Sequence, residues 1–513
     1  MFVLVIRLFG LKIVNLLCGT KWNVIFVVES ITFMKAVRSY CIVLFVLVAW
    51  LLAASSCTED SINVDDNFAL DFSVDTLRFD TIFTDMGSAT MKVKVYNPSS
   101  QKAYIEQIRL MDANYFHLNV NGVAADEVQD TYLNAKDSML IFVQVTINPS
   151  DEATPFVVRD SILFLLNNKK QQVQLEAFGQ NAERLHRLTV TQDTVLTASL
   201  PYLVSDTLRV LPGATLTLQP GTRLFFRKNA VLYVQGRLLA EGNAQQIIQL
   251  RGDRNDYMNT IPPLSYDLCS GQWGGVVFAT GSFGNRLVHT DVRNTSFGIR
   301  VDSTSLDQMA LYVESSMLRN STGCVVEAIH AKMAINNSLL CNAGNYVVAL
   351  QGGDYTWKHC TLANYYQFAW GGRTNPILLY ANKRLDASKD AAPMPFASKM
   401  YNSLIYGSYS SEIQYVCTET PASNYVFSHC LIRYRISDIT NPPYLQCIFN
   451  KEPKFVFQQW EEELPHVYDF NLSSGSGAVG IADSKVANEF PLDLAGHNRL
   501  LDGSADAGCY EYK

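Results

Sequence analysis

The stretch "VLPGATLTLQPGTRLFF", Val210–Phe226, states one phrase twice: Pro212-Gly213 leads into a short alternating strand, and Pro220-Gly221 eight residues later leads into another. Proline presets one backbone angle of a turn and glycine supplies the conformation that other residues avoid, so each pair predicts a corner. Between and beyond the corners the strands run only four to six residues ("TLTL", "RLFF", "VLYV", "RLLAE"). Hairpins in a flat sheet would favour Asn-Gly or Asp-Gly at such corners. Pro-Gly at close, regular spacing instead suits a chain that turns, runs straight and turns again in the same sense.

A structure of that kind repeats, and the repeat persists downstream. Small residues open similar triplets at Thr290, Ser316, Ser338, Cys360, Ser403 and Cys430, at intervals of 26, 22, 22, 43 and 27. In each triplet the first and third residues are small or apolar, as a strand with one inward face requires. Four residues after each opener stand Asn294, Asn320, Asn342 and Asn364, then Gly407 and Tyr434. Asparagine and glycine tolerate the left-handed backbone of a tight turn. The 43-residue step is one coil plus an insertion, placed at 371–399. The phrase 210–250, with "QWGGVVF" at Gln272–Phe278, resembles right-handed parallel β-helices of the pectate-lyase-like superfamily. The tail "EFPLDLAGHNRLLDGSADAGCYEYK" resembles the terminal signature of exported bacterial β-helix proteins, roughly D-x-x-G-x-x-R followed by D-x-G-A-Y-E. Asp493, Gly496, Arg499, Asp506, Gly508, Tyr510 and Glu511 match, and Cys509 replaces the usual Ala. The resemblance implies a structural cap over the solenoid end, with Asp493, Arg499, Asp506 and Glu511 in structural roles and Arg499 and Asp506 in ion pairing.

Upstream, "MKVKVYNPSS" and "SMLIFVQVTINPS" each alternate and close on Asn-Pro, and "DSILFLLNN" and "QQVQLEAFGQ" add further strands. About seven strands in this span predict a β-sandwich. Its order, with "ANYFHLNV" between the Asn-Pro strands, resembles an immunoglobulin-like module of the abnormal-spindle/hydin type, a class of spacers and binding platforms.

The N-terminal part carries an address. Lys35 and Arg38 precede an apolar run, Cys41–Leu52, and Ala54-Ser55-Ser56-Cys57 follows. Twelve apolar residues fall short of the roughly 20 needed to span a bilayer. The arrangement resembles a bacterial lipoprotein signal, with Cys57 as the lipidated N-terminus after cleavage and Ala54 where leucine is more usual. Residues 1–33 then form an upstream extension, explained by a start assigned too early; a genuine extra apolar segment is the alternative. The acidic Glu59, Asp60, Asp65 and Asp66 resemble a surface-export signal of Gram-negative lipoproteins, and a solvated tether is the plainer reading.

Composition agrees with an all-β, non-nucleic-acid-binding protein. The net charge is −7, charged residues make up 17%, and there are 25 tyrosines and 27 phenylalanines; nucleic acid calls for a basic patch. Of eleven cysteines, Cys18 and Cys41 would be removed and Cys57 lipidated, leaving eight that permit disulfides in an exported chain. None has Cys-x-x-Cys spacing, so no metal and no cofactor is expected.

Chemistry is harder to find. Lyases of this fold hold Ca²⁺ on several carboxylates, and hydrolysis needs two carboxylates about 5–10 Å apart. Asp291, Asp302, Asp307, Glu314, Glu327 and Asp354 fall in different registers, and Asp253–Asp256 reads as a turn. His359 and His429 share a column with Asn337 and Asn402, which reads as a polar ladder. Tyr355, Trp357, Tyr365, Tyr366, Phe368 and Trp370 form an aromatic run. Sugar rings stack on flat aromatic faces, so Tyr355, Trp357, Tyr365, Tyr366 and Trp370 are the candidate glycan-binding residues, with Trp357 and Trp370 expected to be exposed; core packing is the competing reading.

The expectation is an all-β protein: extension 1–33, signal 34–56, acidic tether 57–67, sandwich 68–181, right-handed parallel β-helix 185–460 and cap 461–513. It would be anchored through Cys57 in the outer membrane, facing the cell surface, and would bind a glycan or surface protein without catalysis. A polysaccharide lyase or glycoside hydrolase is the alternative, and a structural envelope component the third reading.

Overall fold

The computed structural model describes residues 61–150, 153–258, 264–368, 372–386, 388, 392–417, 423–435, 444–457 and 468–513. The signal, Cys57 and Trp370 lie outside the described residues.

The two Pro-Gly pairs are type II turns. Gly213 and Gly221 sit at φ 83° and 82°. The backbone N–H of Ala214 donates to Leu211 O (3.1 Å), and that of Thr222 to Gln219 O (3.0 Å). A third corner follows at Arg227–Ala230, where Asn229 takes φ 68°. Each corner hands the chain to a different sheet: Leu208–Val210, then Thr215–Leu218, then Arg223–Phe226, then back beside the first at Val231–Val234. The result is a right-handed parallel β-helix, its rungs forming one 27-stranded parallel ladder from Glu183–His186 to Ile448–Phe449.

Three sheets run the length of the stack. Sheet A holds Tyr202–Ser205, Arg223–Phe226, Ile248–Gly252 and the later strands that begin at Met317, Leu339, Thr361, Leu404 and Leu431. Val292, Leu318, Leu340, Leu362, Ile405 and Ile432 face inward in unbroken register. These are the third residues of the triplets read from sequence. Their interior partners become aromatic toward the C-terminal end, where Trp357, Tyr380, Phe396 and Phe427 fill the core. Trp273 of "QWGGVVF" is also internal, stacked on Phe226 at 4.0 Å.

The corner columns satisfy the backbone groups that strands leave over. Asn294, Asn320 and Asn342 take φ 66°, 57° and 63°, and Asn342 Nδ2 donates to Asn320 Oδ1 (3.0 Å). A second column, His289, Ser315, Asn337, His359, Asn402 and His429, is left-handed throughout, at φ 42–54°. Asn402 Nδ2 lies 2.9 Å from His359 Nε2. Burial holds the His359 imidazole well below its ordinary pKa, so it is a neutral rung of a polar ladder.

The upstream module is a sandwich of two five-stranded sheets. Asn97 of the first Asn-Pro is buried, and its Nδ2 donates to the carbonyls of Gln101, Leu133 and Asn134. The side chain thus closes the turn that the dipeptide predicts.

Three expectations change. Residues 61–67 of the acidic tether dock on the sandwich: Asn63 donates from N to Lys102 O (2.8 Å) and from Nδ2 to Ser99 Oγ (2.9 Å). The span 371–399 is not one loop, because Leu378–Ala381 and Phe396–Tyr401 pair in the ladder and divide it. Among the described residues, the C-terminal segment lies along the flank of the solenoid rather than over its end. It starts with Phe455–Phe457 pairing Asp469–Leu472 and runs back along the flank, where Phe455, Phe470, Leu472, Ala507 and Cys509 pack on the outer side chains of sheet A. That face is apolar (Leu339, Cys341, Leu404, Tyr406, Leu431), and the strap removes it from water.

Candidate functional site

The outer face of sheet A is covered in three successive stretches. At the N-terminal coils the sandwich sits on it: Phe83 packs edge-on against Phe225 at 4.9 Å, and Arg184 Nη2 donates to Thr84 O (2.7 Å). In the middle, the insertion after Gly252 folds a short turn, Tyr266–Leu268, over it. Beyond that lies the C-terminal strap. Two cavities mark the joins.

The larger, about 580 Å³, lies between the sandwich strand Thr76–Phe83 and Asp253–Met258. Its polar groups answer one another. Arg254 forks onto Asp256 (2.6 and 2.5 Å) and stacks over Tyr266 at 4.0 Å. Asp253–Asp256 is therefore part of a domain joint rather than a simple turn.

The smaller cavity, about 350 Å³, lies between the Tyr266–Leu268 turn and the strap, within the size range of small-molecule pockets. Its floor is Met317, Arg319, Leu339 and Cys341 of sheet A, with Asn320 and Asn342 at the corner. Its walls are Leu268 on one side and Phe457, Tyr468, Asp469, Phe470 and Tyr510 on the other. Asn342 is 2% exposed and its Oδ1 has no hydrogen-bond partner. A buried acceptor left open is costly, and the Asn342 side chain is part of the cavity lining.

Beneath the floor lies an ion cluster. Arg293 donates from Nε to Asp267 Oδ1 (2.7 Å) and pairs with Asp291. Arg319 grips Asp291 with Nε (3.1 Å) and Nη2 (2.8 Å), and Arg251 reaches Asp267 at 3.2 Å. Burial works against the Asp291 charge, but Arg293 and Arg319 outweigh it and hold the carboxyl at about 2. Burial lowers Arg251 to about 10. Three guanidiniums against two carboxylates leave one net positive charge in the cluster, where Arg319 borders the open space, and Asp469 on the far wall balances it.

The sequence-predicted residues divide. Tyr355 and Trp357 are wholly buried inside the coils, because their positions in Val348–Lys358 face inward beside Met333 and Ile335, so neither can stack on a sugar. Tyr365 and Tyr366 do reach the cleft region, as backing. Tyr365 packs on Phe455 and Phe470, while Tyr366 OH donates to Leu268 O (2.8 Å) and its ring lies 6.3 Å from Tyr468. Asp493, Arg499, Asp506 and Glu511 gather in one buried network. Arg499 pairs with Glu511 (2.5 Å) and donates to Asn337 Oδ1 (2.6 Å) on the ladder, not to Asp506 as expected. Asp506 accepts the N–H groups of Gly480 and Tyr512, and Asp493 that of Glu511. The strap is thus bolted to the ladder column.

Sequence reasoning missed the arginine cluster and the cleft's far wall. Arg293 and Arg319 pair in register one coil apart, so carrying the triplet alignment to a fourth position would have shown them. Nothing local marks Tyr468, and Tyr510 was legible only as part of the terminal motif; both arrive through the strap's fold-back. Among the described residues, no group of three or more His, Cys, Asp or Glu is placed to hold a metal ion.

No family model matches the chain. A stretch of 141 residues, 25% of the chain, is 28% identical to Protein bark beetle of Drosophila melanogaster, and it spans 4% of that protein's length. Among solved structures, the ASH/PapD-like domain of human CEP192 (PapD-like domain 7) is matched at 7% identity and a TM-score of 0.17, over 25% of this chain and 94% of that one. The catalytic unit of a thermostable GH87 alpha-1,3-glucanase from Streptomyces thermodiastaticus strain HF3-3 is matched at 10% identity and a TM-score of 0.23, over 66% of this chain and 77% of that one. At these scores the likenesses carry no argument about activity.

Proposed function

We propose that the chain is an envelope lipoprotein, anchored through Cys57 in the outer membrane and facing the cell surface, that binds a glycan without cleaving it. The binding site is the flank cleft. The observation that carries this reading is the unpartnered Asn342 Oδ1, buried at a cavity that also offers Arg319 and the rings of Tyr468 and Tyr510. A sugar supplies a hydroxyl donor for Oδ1, a C–H face for the rings and an oxygen acceptor for the Arg319 guanidinium. Among the described residues one carboxylate lines the cleft, Asp469, and Asp291 beneath it is ionised and locked by arginines, whereas glycoside hydrolysis calls for a proton-donating and an ionised carboxyl group.

The test is a panel of acidic and neutral polysaccharides offered to the full chain in mild detergent, reading retention and released sugar with and without Ca²⁺. Retention of a polymer without product supports the reading. Unsaturated or reducing sugar in the supernatant refutes the non-catalytic part, and no retention refutes the glycan part. The anchor is tested by fatty-acid labelling in cells, which a Cys57→Ala substitution should abolish.

A further inference from the structure

The third column of the β-helix is chemical rather than conformational. At the residue that opens each sheet A strand from Ser316 onward, a hydroxyl or thiol donates to the carbonyl two residues back. Ser316 bonds Glu314 O (2.8 Å), Ser338 bonds Asn336 O (2.6 Å) and Ser403 bonds Tyr401 O (2.8 Å). Cys360 bonds Lys358 O (3.5 Å), Cys430 bonds Ser428 O (3.3 Å) and Cys447 bonds Leu445 O (3.6 Å). The identical local bond gives every member the same side-chain direction, so successive members stand one above another. Ser403 separates Cys360 from Cys430. Cys430 and Cys447, by contrast, are adjacent: Leu431 pairs with Ile448, and Ile448 N donates to Cys430 O (2.9 Å).

We propose that Cys430 and Cys447 form a disulfide that ties Ile448–Phe449, the last strand of the ladder, to the coil before it. Neighbouring strands lie about 4.7–4.9 Å apart, inside the roughly 4.4–6.8 Å that a disulfide spans between Cα atoms. The two thiols are unequal. Cys430 is fully buried, while Cys447 is partly exposed. The hydrogen bond from Cys430 lowers the Cys447 pKa, and burial raises that of Cys430 well above its ordinary value. Cys447 is therefore the sulfur that meets an oxidant. Its thiolate attacks a small-molecule disulfide such as oxidised glutathione, forming a mixed disulfide and expelling one thiolate. Cys430 then loses its proton to solvent and attacks Cys447 Sγ, expelling the second thiolate. Two protein thiols are oxidised, one glutathione disulfide is reduced to two thiols, and nothing else changes.

The column itself supplies variants that keep the fold, because serine already occupies this position at 316, 338 and 403. The full chain, reduced and then treated with oxidised glutathione, is digested and mapped by mass spectrometry. The wild type should yield a peptide linked between Cys430 and Cys447. The C430S chain should retain one glutathione on Cys447, and C447S should carry none at Cys430. The linked wild type should also melt a few degrees above its reduced form, while C430S shows no such difference. A wild type without the 430–447 link, with Cys447 held only as its glutathione adduct, or with Cys430 joined to another cysteine, overturns the proposal.

Discussion

Asp291 is the residue on which the middle of the molecule turns. It is 4% exposed and bonds both Arg293 and Arg319. Replacing it by Asn leaves two buried guanidiniums short of charge, so Asp291→Asn should cost about 3–5 kcal/mol in denaturant unfolding. A loss under 1 kcal/mol would mean the cluster is solvated. Glu511 offers the opposite sign. Burial lifts its carboxyl to about 7, against the pull of Arg499. A carboxyl raised on folding favours its protonated form, so its contribution is complete below about pH 4.3, the unfolded value, and is lost as pH rises through about 7. The wild-type melting temperature should therefore fall relative to that of Glu511→Gln between pH 5 and 8; parallel curves would contradict the assignment. Neither role was legible from the residue alone. Asp291 looked out of register because its partners are arginines, Arg293 in its own strand and Arg319 one coil on, and Glu511 matched a terminal motif whose neighbours only the fold-back brings together.

Elements were the most legible level, since a coil's corners are written in residues with few conformational alternatives. The Pro-Gly turns and the 22-residue step follow from local chemistry, and the structure places both; the left-handed column holds at Asn294, Asn320 and Asn342 but ends there, because Asn364, Gly407 and Tyr434 do not take that conformation. Asn320 illustrates the mechanism: its φ is 57°, and its amide bonds Asp267 O at 3.2 Å while accepting from Asn342. Alanine loses the bonds and strains the backbone; glycine loses only the bonds. Asn320→Ala should be less stable than Asn320→Gly by about 1–2 kcal/mol in urea melts, and equal stabilities would show that the backbone is not the constraint. The aromatic run was misread for a reason at the same level. Alternation says that every second residue faces one way, but it does not say which way is inside. Tyr355 and Trp357 fall on the core side, where the widening interior takes large rings.

Across the whole molecule, sheet A of the β-helix is the organising surface. Its outer face passes from the sandwich to the Tyr266–Leu268 turn and then to the strap, and the flank cleft opens where the last two meet. This arrangement was not legible in sequence, because it depends on which side of a three-sided stack the two ends return to. The strap supplies Tyr468 and Tyr510 to the cleft, and Arg499 holds its tail to Asn337 on the ladder. The most direct measurement is titration calorimetry of the wild type, Asn342→Ala and Tyr468→Ala with the polysaccharide that the panel retains. If the cleft is the site, each substitution weakens binding at least tenfold, about 1.4 kcal/mol, at a temperature where circular dichroism shows every variant folded. Wild-type affinity in both variants would place the ligand elsewhere and contradict the account.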